Sequence, residues 1–126
     1  MEVKMKHIQE KRLNGVVVVT PKGNVVGGEE TDELEALLKS LAEQKTGCVV
    51  IDFKNTEFIT SLGLGVLVAA HVSYTNRGLR IVLCNVTKRI WQTLIIVKLS
   101  LTFDVYESEL KAVAGCSAGR VVAPAV

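Results

Sequence analysis

The passage that most constrains this chain runs from Cys48 to His71, CVVIDFKNTEFITSLGLGVLVAAH. Its first part, Cys48-Val49-Val50-Ile51-Asp52-Phe53, is a strongly apolar run of strand length and reads as a buried strand. The segment after Thr60 is apolar and long enough to be a helix reaching about Asn76, with Leu64, Leu67, Val68, His71 and Val72 on one face. A strand feeding a helix through small and hydroxyl residues gathers backbone N–H groups and hydroxyls at the helix start, where anions and polar partners are readily received. Ser61 stands at or beside the N-cap, and satisfying an orphan N–H with its hydroxyl is the simplest role that residue type alone assigns it. Gly63 and Gly65 each lower helix propensity by about 1 kcal/mol relative to alanine. Two of them this early call for a reason: close approach of another backbone or a partner surface, or simply a loose helix start.

Upstream, the β-branched run Val16 to Val19 is a strand, Asn14-Gly15 before it is a turn signal, and His7 to Leu13 can pair with it as the first arm of a hairpin. Pro21 to Asn24 and Gly27-Gly28 punctuate Gly23 to Glu30, a loop holding a short extended piece. Leu34, Leu37, Leu38 and Leu41 recur at three- and four-residue steps and define a helix from about Glu30 to Glu43, with Glu29, Glu30, Asp32 and Glu33 crowding its positive end. Downstream, Leu79 to Cys84 is a further strand after the stop at Asn76-Arg77-Gly78. Asn85-Val86-Thr87 opens a third helix with Ile90, Trp91, Leu94 and Ile95 at helical spacing. Leu101 to Val105 makes a last strand and Tyr106 to Val113 a last short helix; Gly115 to Val126 is rich in small residues and reads as a frayed tail. Two strands followed by alternating helix and strand imply right-handed crossovers. The expected fold is a single α/β domain over residues 1–126, with its core at about 8–113 and a tail from 114. It has a mixed, mostly parallel sheet of four to five strands, and four helices on one side of it or around it.

Several function classes fall away. A charged fraction of 22% and a net charge of +2 lack the concentrated basic surface of a nucleic-acid binder. No apolar run approaches 18 residues and the N-terminus MEVKMKHIQEKR is charged, so neither membrane insertion nor a signal peptide is expected, and the cytoplasm is the expected compartment. Cys48, Cys84 and Cys116 are odd in number and have no CxxC spacing, which points to free thiols rather than disulfides or metal ligands. Asp52 has no histidine, lysine or second carboxylate near it in sequence and reads as a polar strand end. His71 reads as a helix histidine and His7 as solvent-exposed. The glycines after Ser61 are followed by no Gly-Lys-Ser/Thr and lack the spacing of a dinucleotide loop. No catalytic site, metal or cofactor is expected.

The stretch TEFITSLGLGVLVAAH resembles the signature of the STAS domain, the fold of bacterial anti-sigma factor antagonists, whose usual form here is Asp-Ser-(Ser/Thr)-Gly-Leu-Gly. In that register Ser61 takes the place of the serine phosphorylated by a partner anti-sigma kinase. Thr60 stands where the family has aspartate and is a competing acceptor, and Leu62 stands where it has a second hydroxyl residue. GNVVGGEETDELEALL is similar to the family's neighbouring loop and helix, and VTKRIWQTLIIVKLSLTFDVYESELKAV to its ending, so the likeness spans roughly residues 8 to 113. The resemblance implies a partner surface of Gly27, Gly28, Glu29, Thr60, Ser61, Leu62, Gly63 and Leu64. It implies a transcription regulator that, unphosphorylated, binds an anti-sigma factor serine kinase and releases a sigma factor, until the kinase phosphorylates Ser61 with its own ATP. A phosphate would add about −1.5 to −2 charges there. The chain would act as a monomer or weak dimer. The alternative is a STAS scaffold or accessory subunit of a stress-signalling or transport complex without a serine switch.

Overall fold

A computed structural model describes residues 5–117. Nine elements follow one another: β1 (Ile8–Leu13), β2 (Val16–Pro21), α1 (Glu29–Glu43), β3 (Cys48–Asp52), α2 (Ser61–Asn76), β4 (Arg80–Cys84), α3 (Lys88–Ile96), β5 (Asp104–Tyr106) and α4 (Glu109–Ser117). They form one five-stranded sheet in the order β1-β2-β3-β4-β5. β1 is antiparallel to β2, and every later pair is parallel. Asn14 (φ 54°) and Gly15 (φ 81°) both adopt the left-handed conformation that a two-residue hairpin turn requires, so Leu13 pairs directly with Val16.

Parallel neighbours need a crossover, and crossovers are right-handed. Three of them stepping the same way across the sheet put α1, α2 and α3 on a single face. There Leu34, Leu38, Leu41, Leu64, Leu67, Tyr74, Ile90 and Leu94 pack on Val17, Val19, Val49, Ile51, Ile81 and Leu83. α4, with no strand after it, closes the opposite face, where Ala112 and Val113 cover Val16, Val18, Val50 and Val82. Strands covered on both faces must be apolar on both, which is why β2 and β3 read as unbroken apolar runs instead of alternating ones.

The structure shifts several expected details. The inward stripe of α2 is Leu64, Leu67 and Tyr74, while Val72 lies on the exposed side, about 100° around the helix from the half-buried His71. Tyr74 owes its inward place to its hydroxyl, which donates to the Leu38 carbonyl at 2.6 Å. In α3 only Ile90 and Leu94 are buried; Trp91 and Ile95 are exposed. The last strand starts at Asp104 rather than Leu101, because turn hydrogen bonds from Leu99 N–H to Leu94 O (2.7 Å) and Thr102 N–H to Leu99 O (3.0 Å) occupy the preceding backbone. α4 correspondingly starts at Glu109 and extends through Gly115 to Ser117, so residues 114–117 are helix, while 118–126 lie outside the described residues.

The cysteine expectation is corrected as well. Cys48 and Cys116 form a disulfide, with Cα atoms 5.7 Å apart across a sequence separation of 68. Cys84 alone remains a free thiol, buried and pushed up to about 12, chiefly by burial and further by the charge of Asp52. Spacing rules look for close pairs; this pairing arises because α4 folds back across β3, which no local pattern announces.

Reduction of the disulfide, or Cys116→Ser, is expected to lower unfolding free energy by about 2–4 kcal/mol, the usual effect of opening a long covalent loop. Urea denaturation with and without reductant checks it. Parent and variant should coincide under reducing conditions.

Candidate functional site

The carboxyl ends of the parallel strands form the edge where open α/β sheets receive ligands. Two loops meet there, 22–28 after β2 and 53–60 after β3. Thr56 Oγ1 donates to the Gly23 carbonyl at 2.8 Å, and Asn24 Oδ1 accepts from Glu57 N–H at 2.8 Å and Phe58 N–H at 3.2 Å. Val25 and Ile59 form a parallel bridge, continued by Thr60 N–H to the Val25 carbonyl at 3.0 Å. From the other side Thr87 Oγ1 donates to the Glu57 carbonyl at 2.8 Å, and the Arg89 guanidinium lies 4.5 Å over the Phe58 ring.

The first loop is also fastened to α1. One Glu30 carboxylate oxygen accepts from Val26 N–H (2.7 Å), Gly28 N–H (3.0 Å) and Thr31 Oγ1 (2.9 Å), and Thr31 Oγ1 accepts from Gly27 N–H at 2.7 Å. Donation from Val26 leads the group of bonds that lowers the Glu30 carboxyl to about 2. Expected only as one of several dipole-matched acids, Glu30 is a clasp. Gly27 takes φ 98°, and a Cβ there would collide with Leu62 Cδ1, so the two loops pack closely enough to require glycine.

α2 starts differently. Thr60 is its N-cap, extended in backbone, and its carbonyl accepts from Leu64 N–H at 2.9 Å. Its hydroxyl caps nothing: Oγ1 is buried without a hydrogen-bond partner. Ser61 is the first helical residue and is exposed, and no acid stands in the first turn. The partial positive charge of this helix end is therefore neutralised by no side chain. Leu62, 64% exposed, and Val26 add apolar surface around it. The reason for Gly63 is close approach, since a Cβ there would sit 2.7 Å from the Val25 carbonyl oxygen; Gly65 has no such neighbour.

Of the residues named from sequence, Gly27, Gly28, Glu29, Ser61 and Leu62 share the exposed surface, Thr60 is half-buried, and Gly63 and Leu64 turn inward. The sequence reading missed the struts Asn24, Thr56, Thr87 and Arg89; the Pro21–Asn24 turn signal marked only the first. Asp52 is more than a polar strand end. It is fully buried, with Oδ1 accepting from Lys54 N–H and Asn85 Nδ2, both at 2.9 Å, and Oδ2 unpartnered. Strand alternation places it on the α4 face, with Val50. His7 is only partly exposed, its Nε2 3.3 Å from Glu29 Oε1, and the His71 ring meets the edge of Phe103 at 5.1 Å. Among the described residues no group of His, Cys, Asp and Glu side chains is placed to hold a metal ion.

The family model of the STAS domain matches residues 7–112, and the chain belongs to this family. The fold is shared with a Thermotoga maritima protein described as a candidate anti-sigma factor antagonist, at 17% identity over 87% of this chain and 94% of that one, TM-score 0.80. The anti-sigma factor antagonist SpoIIAA, unphosphorylated, matches at 15% identity over 90% and 99%, TM-score 0.71; SpoIIAA of Bacillus is also known in its phosphorylated form. A sulfate transporter family protein from Wolinella succinogenes matches at 20% identity over 84% and 88%, TM-score 0.75. Comparison with curated protein sequences gives no match.

Gly63→Ala is expected to destabilise the protein, because overpacking against backbone costs about 1–3 kcal/mol and outweighs a propensity gain of about 1 kcal/mol. Gly65→Ala meets open space and is expected to stabilise by up to about 1 kcal/mol. Chemical denaturation of both variants beside the parent reads the contrast.

A second expectation concerns pH. Because the Glu30 carboxyl is lowered in the folded state, its bonds stabilise fully above the ordinary value of 4.5, and that contribution is lost as pH falls toward about 2. Glu30→Gln should therefore melt below the parent near neutrality, and the gap should close across that window. Melting temperatures at stepped pH measure it.

Proposed function

We propose that this chain is an anti-sigma factor antagonist that works by partner switching, with Ser61 as its phosphoacceptor. The observation that carries the reading is an exposed serine at the first position of a helix whose positive end has neither a capping side chain nor an acid. Around it, Gly27, Gly28, Glu29, Leu62 and Val26 supply a face of backbone and apolar contact suited to an anti-sigma factor serine kinase. Bound there, the unmodified chain releases the sigma factor. The kinase transfers phosphate from its own ATP, and this chain takes no catalytic step. The likeness to SpoIIAA, known with and without phosphate, supports the reading.

The helix end explains how modification breaks docking without unfolding the domain. A phosphate brings about −1.5 to −2 charges and three acceptor oxygens, which the free N–H groups of α2 can receive within the chain. The same charge on a docked face must be desolvated against the partner's surface. Thr60 is the poorer acceptor, since its hydroxyl is buried. Action of this kind belongs in the bacterial cytoplasm.

Thr60 also favours a second reading. It brings no charge beside Ser61 where the family pattern has aspartate, so the chain could keep the docking surface as a scaffold or accessory subunit of a stress-signalling or transport complex. The sulfate transporter family likeness agrees with that use.

Incubation with a genomically neighbouring anti-sigma kinase and ATP, followed by mass spectrometric mapping, tests the proposal. Phosphate is expected on Ser61 and absent from Ser61→Ala, which should keep its fold and bind constitutively. Ser61→Asp should weaken binding partially, with stability unchanged or raised by up to about 1 kcal/mol by the helix dipole. A kinase that binds yet modifies nothing would favour the scaffold reading.

A further inference from the structure

Ser61 and its loops occupy the carboxyl end of the parallel strands. α3 runs away from that end, and its last turn carries a surface of a different kind. Ile90 and Leu94 fix the inner side of α3, leaving Lys88, Gln92, Ile95 and Ile96 outward. Trp91 and Ile95, four residues apart, are neighbours on the helix surface. Val97 and Leu101 extend the apolar surface into the following turn. Ile96 is 78% and Leu101 99% exposed. Large apolar side chains clustered within eleven residues of sequence differ from the single exposures of an ordinary surface, and such patches mark contact sites.

The charge around the patch is one-signed. No Asp or Glu occurs from Phe58 through Phe103, a stretch that contains Arg77, Arg80, Lys88, Arg89 and Lys98. Arg80 is paired with Asp104 at 3.0 Å and Arg89 covers Phe58. Lys88 and Lys98 have no acidic partner among the described residues. The acids concentrate instead on α1, which lies on the other side of α2.

We infer that the carboxyl end of α3 and the turn after it are a peripheral docking surface for anionic phospholipid bilayers. Apolar tips enter the boundary between headgroups and acyl chains, a tryptophan ring is at home at that level, and lysines meet the negative surface potential. A bilayer suits these observations better than an acidic protein does. Projecting tips of unequal height, Leu101 on a turn and Trp91 on the helix flank, need a shaped groove in a protein but none in lipid. No helix among the described residues is long and apolar enough to cross a membrane, so contact stays peripheral. Ser61, at the other end of the sheet, stays free, and the inference does not depend on its phosphorylation.

Trp91 is the only tryptophan in the chain and so reports directly on this surface. The full chain, titrated with vesicles of phosphatidylcholine containing phosphatidylglycerol, should show a blue shift of Trp91 emission and co-sediment. With pure phosphatidylcholine, or in high salt, binding should fall at least tenfold. Ile96→Ser/Leu101→Ser and Lys88→Glu/Lys98→Glu should each lose at least tenfold in vesicle affinity; because all four positions are exposed, circular dichroism should match the parent. Three outcomes would overturn the inference: no shift and no sedimentation with anionic vesicles, equal binding by both double variants, or a dimer in ultracentrifugation that Ile96→Ser/Leu101→Ser dissolves while vesicles have no effect. Capture of an acidic protein in the absence of vesicle binding would count against it equally.

Discussion

Parallel pairing of β2 with β3 and of β3 with β4 dictates most of what surrounds it. Parallel strands cannot be joined by a tight turn, so each junction carries a helix, and the shared handedness of the crossovers sends all three helices to one face. The same geometry brings the loops after β2, β3 and β4 to one edge. There the chain can clasp loop to loop through Asn24, Thr56 and Thr87 and hold a helix start in a set position. The second face is left to whatever follows the last strand, and only α4 is available to cover it.

The helix starts are treated unequally. α1 carries acids in its first turn, and Glu30 reaches back to the loop before it. α3 is capped by Thr87, whose hydroxyl accepts from Ile90 N–H at 3.1 Å, and Ser108 Oγ accepts from Lys111 N–H at 3.2 Å at the start of α4. At α2 the corresponding hydroxyl, on Thr60, is turned inward and unpartnered. The result is one helix start whose positive end is left to solvent and to partners, with a serine on it. In the setting of the STAS fold this local electrostatic vacancy is the strongest argument for where a phosphate would be received.

The far face is held by means of a different sort. α4 buries only small side chains, Ala112 and Val113, against the sheet. Two tethers supplement that packing: the Cys48–Cys116 disulfide and the Lys11–Glu109 ion pair at 2.7 Å, with Lys11 raised mainly by that bond. The ion pair is partly exposed and its contribution small. The covalent link to the central strand therefore carries more of the attachment, and the helix that closes the core is the one most dependent on it.

Much of this was legible in the residues. Val16 to Val19, Cys48 to Asp52 and Arg80 to Cys84 are apolar enough to demand burial on both sides, and Asn14-Gly15 is a turn in almost any context. The segment from Ser61 to Asn76 begins and ends where residue type suggested, because glycine, hydroxyl and apolar patterns act locally. Tertiary structure decided what depends on distant partners. Val72 and Ile95 face outward because one strand face can hold only one stripe of each helix. Gly63 is required by the carbonyl of Val25, which lies 38 positions away in the chain. Glu30 works as a clasp only once Val26 and Gly28 present their N–H groups to it. Cys116 meets Cys48 because α4 recrosses the sheet. Sequence by itself determined the elements and the position of Ser61 at a helix start, since hydrophobic periodicity and turn chemistry act over a few residues. The packed fold alone decided which helix end stays uncapped and which cysteines meet, since both follow from contacts between segments that local pattern does not relate.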